Sequence, residues 1–306
     1  MITRRKLLAA SASAVALSPL LAGAMPNAPA VITRPIPSSG ELLPVIGMGT
    51  SRTFDAGADA ATIARLAEVM KLFFAGGGSV IDSSPMYGEA ESRVGDVLRD
   101  MDKTPALFAA TKVWTEGRDE GIAQMQQSAA RMNVDRFDLI AVHNLVDWQT
   151  QLATLKAWKS EGKVRYIGIT TSHGRYHSEL LDIMRKEPLD FVQFTYNIAN
   201  RTAEEALLPL AQDRGIATMI NRPFQRGSLF KRSSGAQLPD VATDLGCTSW
   251  GQFYLKFILG HPAVTSLIPA TSKPHHMKDN MGANVGPVPD ADQRAEMLRV
   301  FNALPA

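Results

Sequence analysis

Cysteine is almost absent from this chain. Cys247 stands alone among 306 residues, so no internal disulfide can form and no cysteine-built metal site is available. In its apolar helical setting that thiol reads as core filler. Long runs of one charge are lacking too, and a formal net charge of +2 carries no footprint for nucleic acid. The glycine fingerprint of the open dinucleotide fold is missing. Gly47-Met48-Gly49 does not continue to a third glycine at the required place and opens no helix directly. His173 and His177 are spaced like ligands on a helix, but Gly174 lies between them and the pattern predicts a strand–helix loop. No metal site is assigned.

What is present begins at the N-terminus. Arg4-Arg5-Lys6 precedes an uncharged run, Leu7–Ala24, rich in Ala and Ser and broken by Pro19. The run closes on Ala22-Gly23-Ala24, with Ala28-Pro29-Ala30 as a second small-residue site. Charged, apolar, then small is the order of an export signal, here residues 1–30 with cleavage after Ala24. Paired arginines ahead of a mild apolar run resemble a twin-arginine (Tat) signal, which implies the Tat machinery as a partner and a periplasmic destination. The alternative is a membrane anchor, for which the Ala/Ser content is weakly apolar.

After residue 30 the pattern becomes regular. With 45% hydrophobic residues there is ample material for a large core. Val31–Pro35 and Glu41–Val45 flank Ser38-Ser39-Gly40 and predict a short hairpin. Short apolar runs then alternate with stretches of helical spacing. The predicted strands are Pro44–Gly49, Ser79–Asp82, Ala106–Thr111, Phe137–Val142, Val164–Ile169, Asp190–Phe194, Ile216–Ile220 and Val264–Pro269. The predicted helices between them include Ala58–Ala75, Ala90–Arg99, Ala203–Arg214 and Val241–Leu259, and Asp290–Phe301 is a terminal helix outside the alternation. Asn221–Pro239 reads as a long loop. Eight strand–helix units without a break in composition predict one (β/α)8 TIM barrel over residues 31–306.

Three consecutive strands each end in ionisable groups where a loop begins. Asp82 closes the second and is followed by Tyr87; Lys112 follows the third; His143 follows the fourth. In a parallel α/β fold the carboxyl ends of the strands form one face, and the chemistry sits there. Each residue alone has a bland role: a cap, a loop anchor, a surface lysine, a core histidine. Together at a barrel mouth they have none, because a lone buried carboxylate or ammonium costs several kcal/mol and the two must pair. A carbonyl that accepts hydride needs a proton as charge develops on oxygen. Tyr87 can supply it, Lys112 can lower the phenol pKa, Asp82 can hold Lys112 charged, and His143 can hydrogen-bond the oxygen. No amino acid supplies hydride, so a nicotinamide is implied.

On these residues the chain resembles the aldo-keto reductase superfamily over nearly all its length after residue 31. The matching segments are Ile46–Thr50, Ile81–Gly88, Thr111-Lys112, Val142-His143, Val164–Ile169, Gln193 with Tyr196-Asn197, and Ile268–Asn280. The resemblance implies a catalytic tetrad of Asp82, Tyr87, Lys112 and His143, with a small-molecule carbonyl as substrate. It also implies NADP as cofactor, with NAD as the alternative, bound by Gly49, Thr50, Thr170, Thr171, Gln193, Asn221, Arg226, Ser272, Lys273 and Asn280. Thr170-Thr171 stand where a Ser-Asn pair usually holds the carboxamide, as Gln193 also does. Asn221 stands where an aromatic ring usually stacks on the nicotinamide, and Arg226 lies in the loop that can cover the pyrophosphate. Ala270 and His276 occupy positions that often carry Lys and Arg for the 2′-phosphate, with Lys273 and Lys278 as substitutes. A reading from another class is a nicotinamide-binding regulatory barrel with little turnover.

Overall fold

The structure, a computed structural model, describes residues 30–101 and 107–305. The export signal read at the N-terminus lies outside the described residues, as does Ala106. A hairpin opens the described chain: β1 (Thr33–Pro35) pairs antiparallel with β2 (Leu42–Pro44), Thr33 opposite Pro44 and Pro35 opposite Leu42. Eight parallel strands follow in sequential order. They are β3 (Met48–Gly49), β4 (Val80–Asp82), β5 (Phe108–Val113), β6 (Phe137–His143), β7 (Val164–Thr170), β8 (Phe191–Thr195), β9 (Ala217–Asn221) and β10 (Ser266–Leu267). Parallel bridges Ile46–Leu267 and Gly49–Ala270 join the first of these to the last and close the barrel. Glycine is required at that seam, since a Cβ on Gly49 would stand 2.8 Å from the Ile268 carbonyl oxygen.

Several predicted boundaries move, each for a local reason. The first barrel strand is shorter than Pro44–Gly49 because Pro44 is claimed by the hairpin. The third extends to Val113, which puts Lys112 inside the strand rather than after it, and His143 and Thr170 likewise end their strands. Val241–Leu259 divides into Asp240–Asp244 and Trp250–Leu259, because Gly246 turns left-handed (φ 68°) and Ser249 caps the second helix through Gln252 N. The loop Asn221–Pro239 contains a helical turn, Gln225–Gly227, and a short helix, Ser228–Arg232. His173 stays in a loop at φ 67° while His177 opens the helix His177–Lys186, so the two do not share a helical face.

Strand periodicity explains the mouth. Side chains alternate in and out, so every second residue of each strand lines the barrel. At the amino ends the inward set is apolar: Val80, Phe108, Ala110, Leu139, Tyr166, Phe191, Ala217 and Met219 form one buried cluster. Phe108, Tyr166 and Phe191 meet there with ring centroids 5.7–6.0 Å apart. The same alternation carried further up, by two residues from Val80, Ala110, Phe191 and Met219 and by four from Tyr166, gives Asp82, Lys112, Gln193, Asn221 and Thr170. Ile36 and Leu43 of the hairpin belong to the apolar cluster and stop the barrel from below. Tyr166 Oη ties the hairpin in place by donating to Glu41 Oε2 at 2.6 Å and accepting from Ser39 Oγ at 2.8 Å.

Candidate active site

The carboxyl ends of the strands surround a cavity of about 1300 Å³. Beneath its floor Lys112 is fully buried. Its ammonium donates to Asp82 Oδ2 at 2.7 Å and to the Ser83 carbonyl at 2.7 Å. Asp82 Oδ1 accepts from Gln193 Nε2 at 3.0 Å, and Gln193 Oε1 accepts from Thr170 Oγ1 at 3.0 Å. Gln193 of β8 thus reaches across the barrel mouth to Asp82 of β4 and is itself held by Thr170 of the neighbouring β7. Burial is the largest single influence and opposes the Lys112 charge, but Asp82, Tyr87 and Glu91 together outweigh it and the ammonium is held above its ordinary range. Removing either partner would leave the other charge buried and alone, at a cost of about 3–5 kcal/mol.

Tyr87 sits over this pair in the loop after β4. The Lys112 ammonium lies 5.2 Å from its ring centroid, and the His143 ring meets it edge-on at 5.9 Å. The expected lowering of the phenol is corrected here. Burial raises Tyr87 above the ordinary tyrosine value, and the pull of Lys112 only partly offsets it. Tyr87 therefore stands as a phenol at neutral pH, the form that can give a proton. His143 is pushed down to about 3 by burial and by Lys112, so its ring is neutral. Ser84 Oγ lies 3.0 Å from His143 Nδ1. With Ser84 as donor the ring proton sits on Nε2, the tautomer that can hydrogen-bond a carbonyl oxygen.

The structure brings most of the sequence-read residues to one wall. Gly49, Thr50, Asp82, Tyr87, His143, Thr170, Gln193, Asn221, Arg226 and Asn280 all line the cavity. Thr50 also braces the floor, donating to the Asp82 carbonyl at 3.0 Å and accepting from Ser83 Oγ at 2.9 Å. Thr171 lies behind the wall, where its carbonyl accepts from Asn221 Nδ2 at 2.9 Å. Asn221 Oδ1 accepts from Thr195 Oγ1 at 2.7 Å, so both ends of that amide are fixed. Ser272 and Lys273 are not in the wall, which runs through Thr271 and His276 instead. Sequence reasoning missed Ser84, Arg52, Arg175 and Arg222. Ser84 had a signal in its place between Asp82 and Tyr87, and Arg222 in following a strand end directly. Trp114 and Met86, both exposed, form the apolar rim beside Tyr87.

This arrangement has counterparts. The family description "Aldo/keto reductase family" matches residues 45–297. The chain belongs to the aldo/keto reductase family. Relatives include the aldo-keto reductase YhdN of Bacillus subtilis, 30% identical over 169 residues that span 50% of this chain and 50% of that one. The match therefore spans half of that relative's length. The methylglyoxal reductase YeaE of Escherichia coli is 24% identical over 249 residues, 79% of this chain and 86% of its own. An aldo-keto reductase of Klebsiella pneumoniae in complex with NADPH shares the fold with a TM-score of 0.71 at 21% identity, covering 86% of this chain and 92% of that chain. A place in the aldo/keto reductase family makes this barrel an NAD(P)-dependent enzyme.

Proposed function

We propose that this enzyme reduces an aldehyde or ketone to the alcohol, with NADPH as nucleotide and NADH as the alternative. The observation that carries the reading is the buried Lys112–Asp82 pair, 2.7 Å long, beneath a protonated Tyr87 and beside a neutral His143. The wall also fits the nucleotide. The cavity is larger than a drug-sized ligand needs. Arg222 Nη1 is buried there with no hydrogen-bond partner, an orphaned donor suited to a phosphate oxygen. Arg222 and Arg226 would take the phosphates, and Gln193, Thr170 and Asn221 the carboxamide end. When bound, the reduced nicotinamide supplies the hydride.

The protein side of the chemistry then follows from the geometry. His143 Nε2–H and the Tyr87 hydroxyl orient a carbonyl oxygen at the floor. Tyr87 Oη gives its proton to that oxygen as negative charge develops. The Lys112 ammonium stabilises the phenolate left behind, and Asp82 keeps the ammonium charged and in place. His143 remains neutral and acts as a hydrogen-bond donor rather than as the acid. Tyr87→Phe tests this. It should lower kcat by about 10²–10⁴-fold while leaving nucleotide affinity near wild type. Wild-type turnover in the variant would end the assignment of Tyr87 as the acid.

We also propose export of the folded enzyme through the Tat route. Arg4-Arg5 ahead of a weakly apolar Ala/Ser run supports it.

A further inference from the structure

One buried carboxylate is not used by the chemistry above. Glu91 stands in the first turn of the helix Ala90–Arg99 and is fully buried. Its Oε1 accepts from Thr111 Oγ1 at 2.6 Å and its Oε2 from Ser128 Oγ at 3.0 Å. Thr111 belongs to β5 and Ser128 to the helix Arg118–Met132, so Glu91 joins two helices to a barrel strand. Arg131, partly exposed on the second helix, lies 3.8 Å from Oε2. Both oxygens accept and a cation stands beside them, which are the surroundings of a carboxylate rather than of a neutral acid. Joining three elements needs no charge. A glutamine would bond to the same hydroxyls without the desolvation cost of a buried anion.

What lies next along β5 gives the charge a purpose. Thr111 directly precedes Lys112, and strand alternation turns the first side chain out to the helices and the second in to the mouth. The strand is therefore flanked by two buried carboxylates, Asp82 on its inner side and Glu91 on its outer side. The ionisable groups that act with Lys112 are Asp82, Tyr87, Glu91 and the neutral His143. Those around Glu91 are Lys112 and Arg131. Glu91 acts on the ammonium in the same sense as Asp82. Burial pushes Glu91 itself up, while Thr111, Ser128, Arg131 and Lys112 pull it back. Away from water a charge is felt well beyond contact distance, so an anion behind the strand need not touch the ammonium to favour it.

We propose that Glu91 is the second counter-ion of Lys112, a positioning residue that keeps the ammonium charged from behind β5 while Asp82 holds it from within the barrel. This rests on the carbonyl-reductase reading, in which that charge steadies the Tyr87 phenolate. The two acids divide the work. Asp82, at 2.7 Å, both orients the ammonium and charges it. Glu91 touches neither the ammonium nor the cavity and contributes its field alone. Either acid by itself is enough to keep Lys112 protonated at neutral pH. Without both, the buried ammonium has no carboxylate to answer it and sheds its proton.

The test is a double-mutant cycle in the full-length protein: wild type, Glu91→Gln, Asp82→Asn and the double variant. Each is followed by kcat for carbonyl reduction across pH, and by 13Cε NMR of labelled lysine with Lys112→Met for assignment. The single variants should each keep a charged Lys112. The double variant should lose about 10-fold more than the product of the two single losses. The direction with pH is fixed, because anions raise the ammonium and removing both lowers it. Activity of the double variant should therefore fall, as pH rises, about one pH unit or more before that of Asp82→Asn, and the Lys112 resonance should titrate at the same point. Thr111→Val with Asp82→Asn should show the same trend more weakly, since it removes the shorter of the bonds that favour ionised Glu91.

A Glu91 that only joins helices to strand would lower the thermal midpoint and leave the cycle additive. Additive losses, or a pH limb and a lysine resonance that stay in place in the double variant, overturn the counter-ion role. Where Glu91→Gln does not fold, Thr111→Val decides by the same two readouts. Failure of the underlying reading looks different: the Lys112 resonance moves in the double variant as described, but none of the four proteins reduces a carbonyl. In that case the counter-ion stands and the reductase assignment falls.

Discussion

Lys112 serves Tyr87 and Asp82 at once, and the two links separate by mutation. Lys112→Met removes the ammonium that steadies the phenolate, so reduction should fall at least as far as in Tyr87→Phe, and the remaining rate should lose its pH profile. Asp82→Asn keeps the ammonium and should be milder in rate. Steady-state kinetics across pH checks the order of the two; equal losses would dissolve the distinction between charge and positioning. His143 gives a second test at this scale, on stability. Folded, it titrates at about 3; unfolded, near 6.5. The unfolded chain therefore binds more protons between these values. The contribution of the neutral ring is complete above about pH 6.5 and is lost as pH falls toward 3. Urea midpoints measured down through that window should fall steeply in the wild type and less steeply in His143→Gln. The convergence of Asp82, Tyr87, Lys112 and His143 was legible because strand ends can be read from apolar runs. The arginines were not. Arg52, Arg222 and Arg226 reach the cavity through left-handed backbone, and nothing in their neighbours' composition announces it.

Among the elements, the hairpin is the one with the clearest separate role. Its Ile36 and Leu43 complete the apolar cluster at the amino ends of the strands, at the far end of the barrel from the tetrad. Leu43→Ala should cost about 2–5 kcal/mol of stability, with kcat and nucleotide release unchanged under native conditions. Urea denaturation beside turnover checks this, and a matching loss of kcat would mean that the floor and the mouth are coupled. The hairpin, the eight-fold rhythm and most helices were readable because two-residue and helical periods leave distinct marks. Strand lengths at the seam were not, since Pro44 pairs in the hairpin rather than in β3 and β10 pairs with β9 over Ser266–Leu267 alone. Ser272 and Lys273 show the same limit at finer grain. Whether a residue just before the helix Pro274–Gly282 points into the cavity depends on how the chain enters that helix, and Thr271 and His276 are the ones that face it.

At the scale of the whole molecule, the proposed export and nucleotide loading belong together. A barrel that leaves the cytoplasm folded can carry its nucleotide with it. Replacing Arg4-Arg5 with Lys-Lys should strand the precursor inside the cell, folded and loaded. Fractionation with assay of bound nucleotide checks both halves, and unimpaired export of the Lys-Lys form would refute the route. The stopper beneath the barrel adds a constraint of its own. Among the described residues, Ile36 and Leu43 pack against the inward side chains of the strands and stop the amino end, so the site opens at the other. A vessel with one door imposes a queue: whatever enters first lies deepest and departs last. The molecule that occupies the rim must come and go over the one already seated, so its traffic sets the tempo. Viscosity should therefore slow the rim reactant's passage before it touches the step at Tyr87.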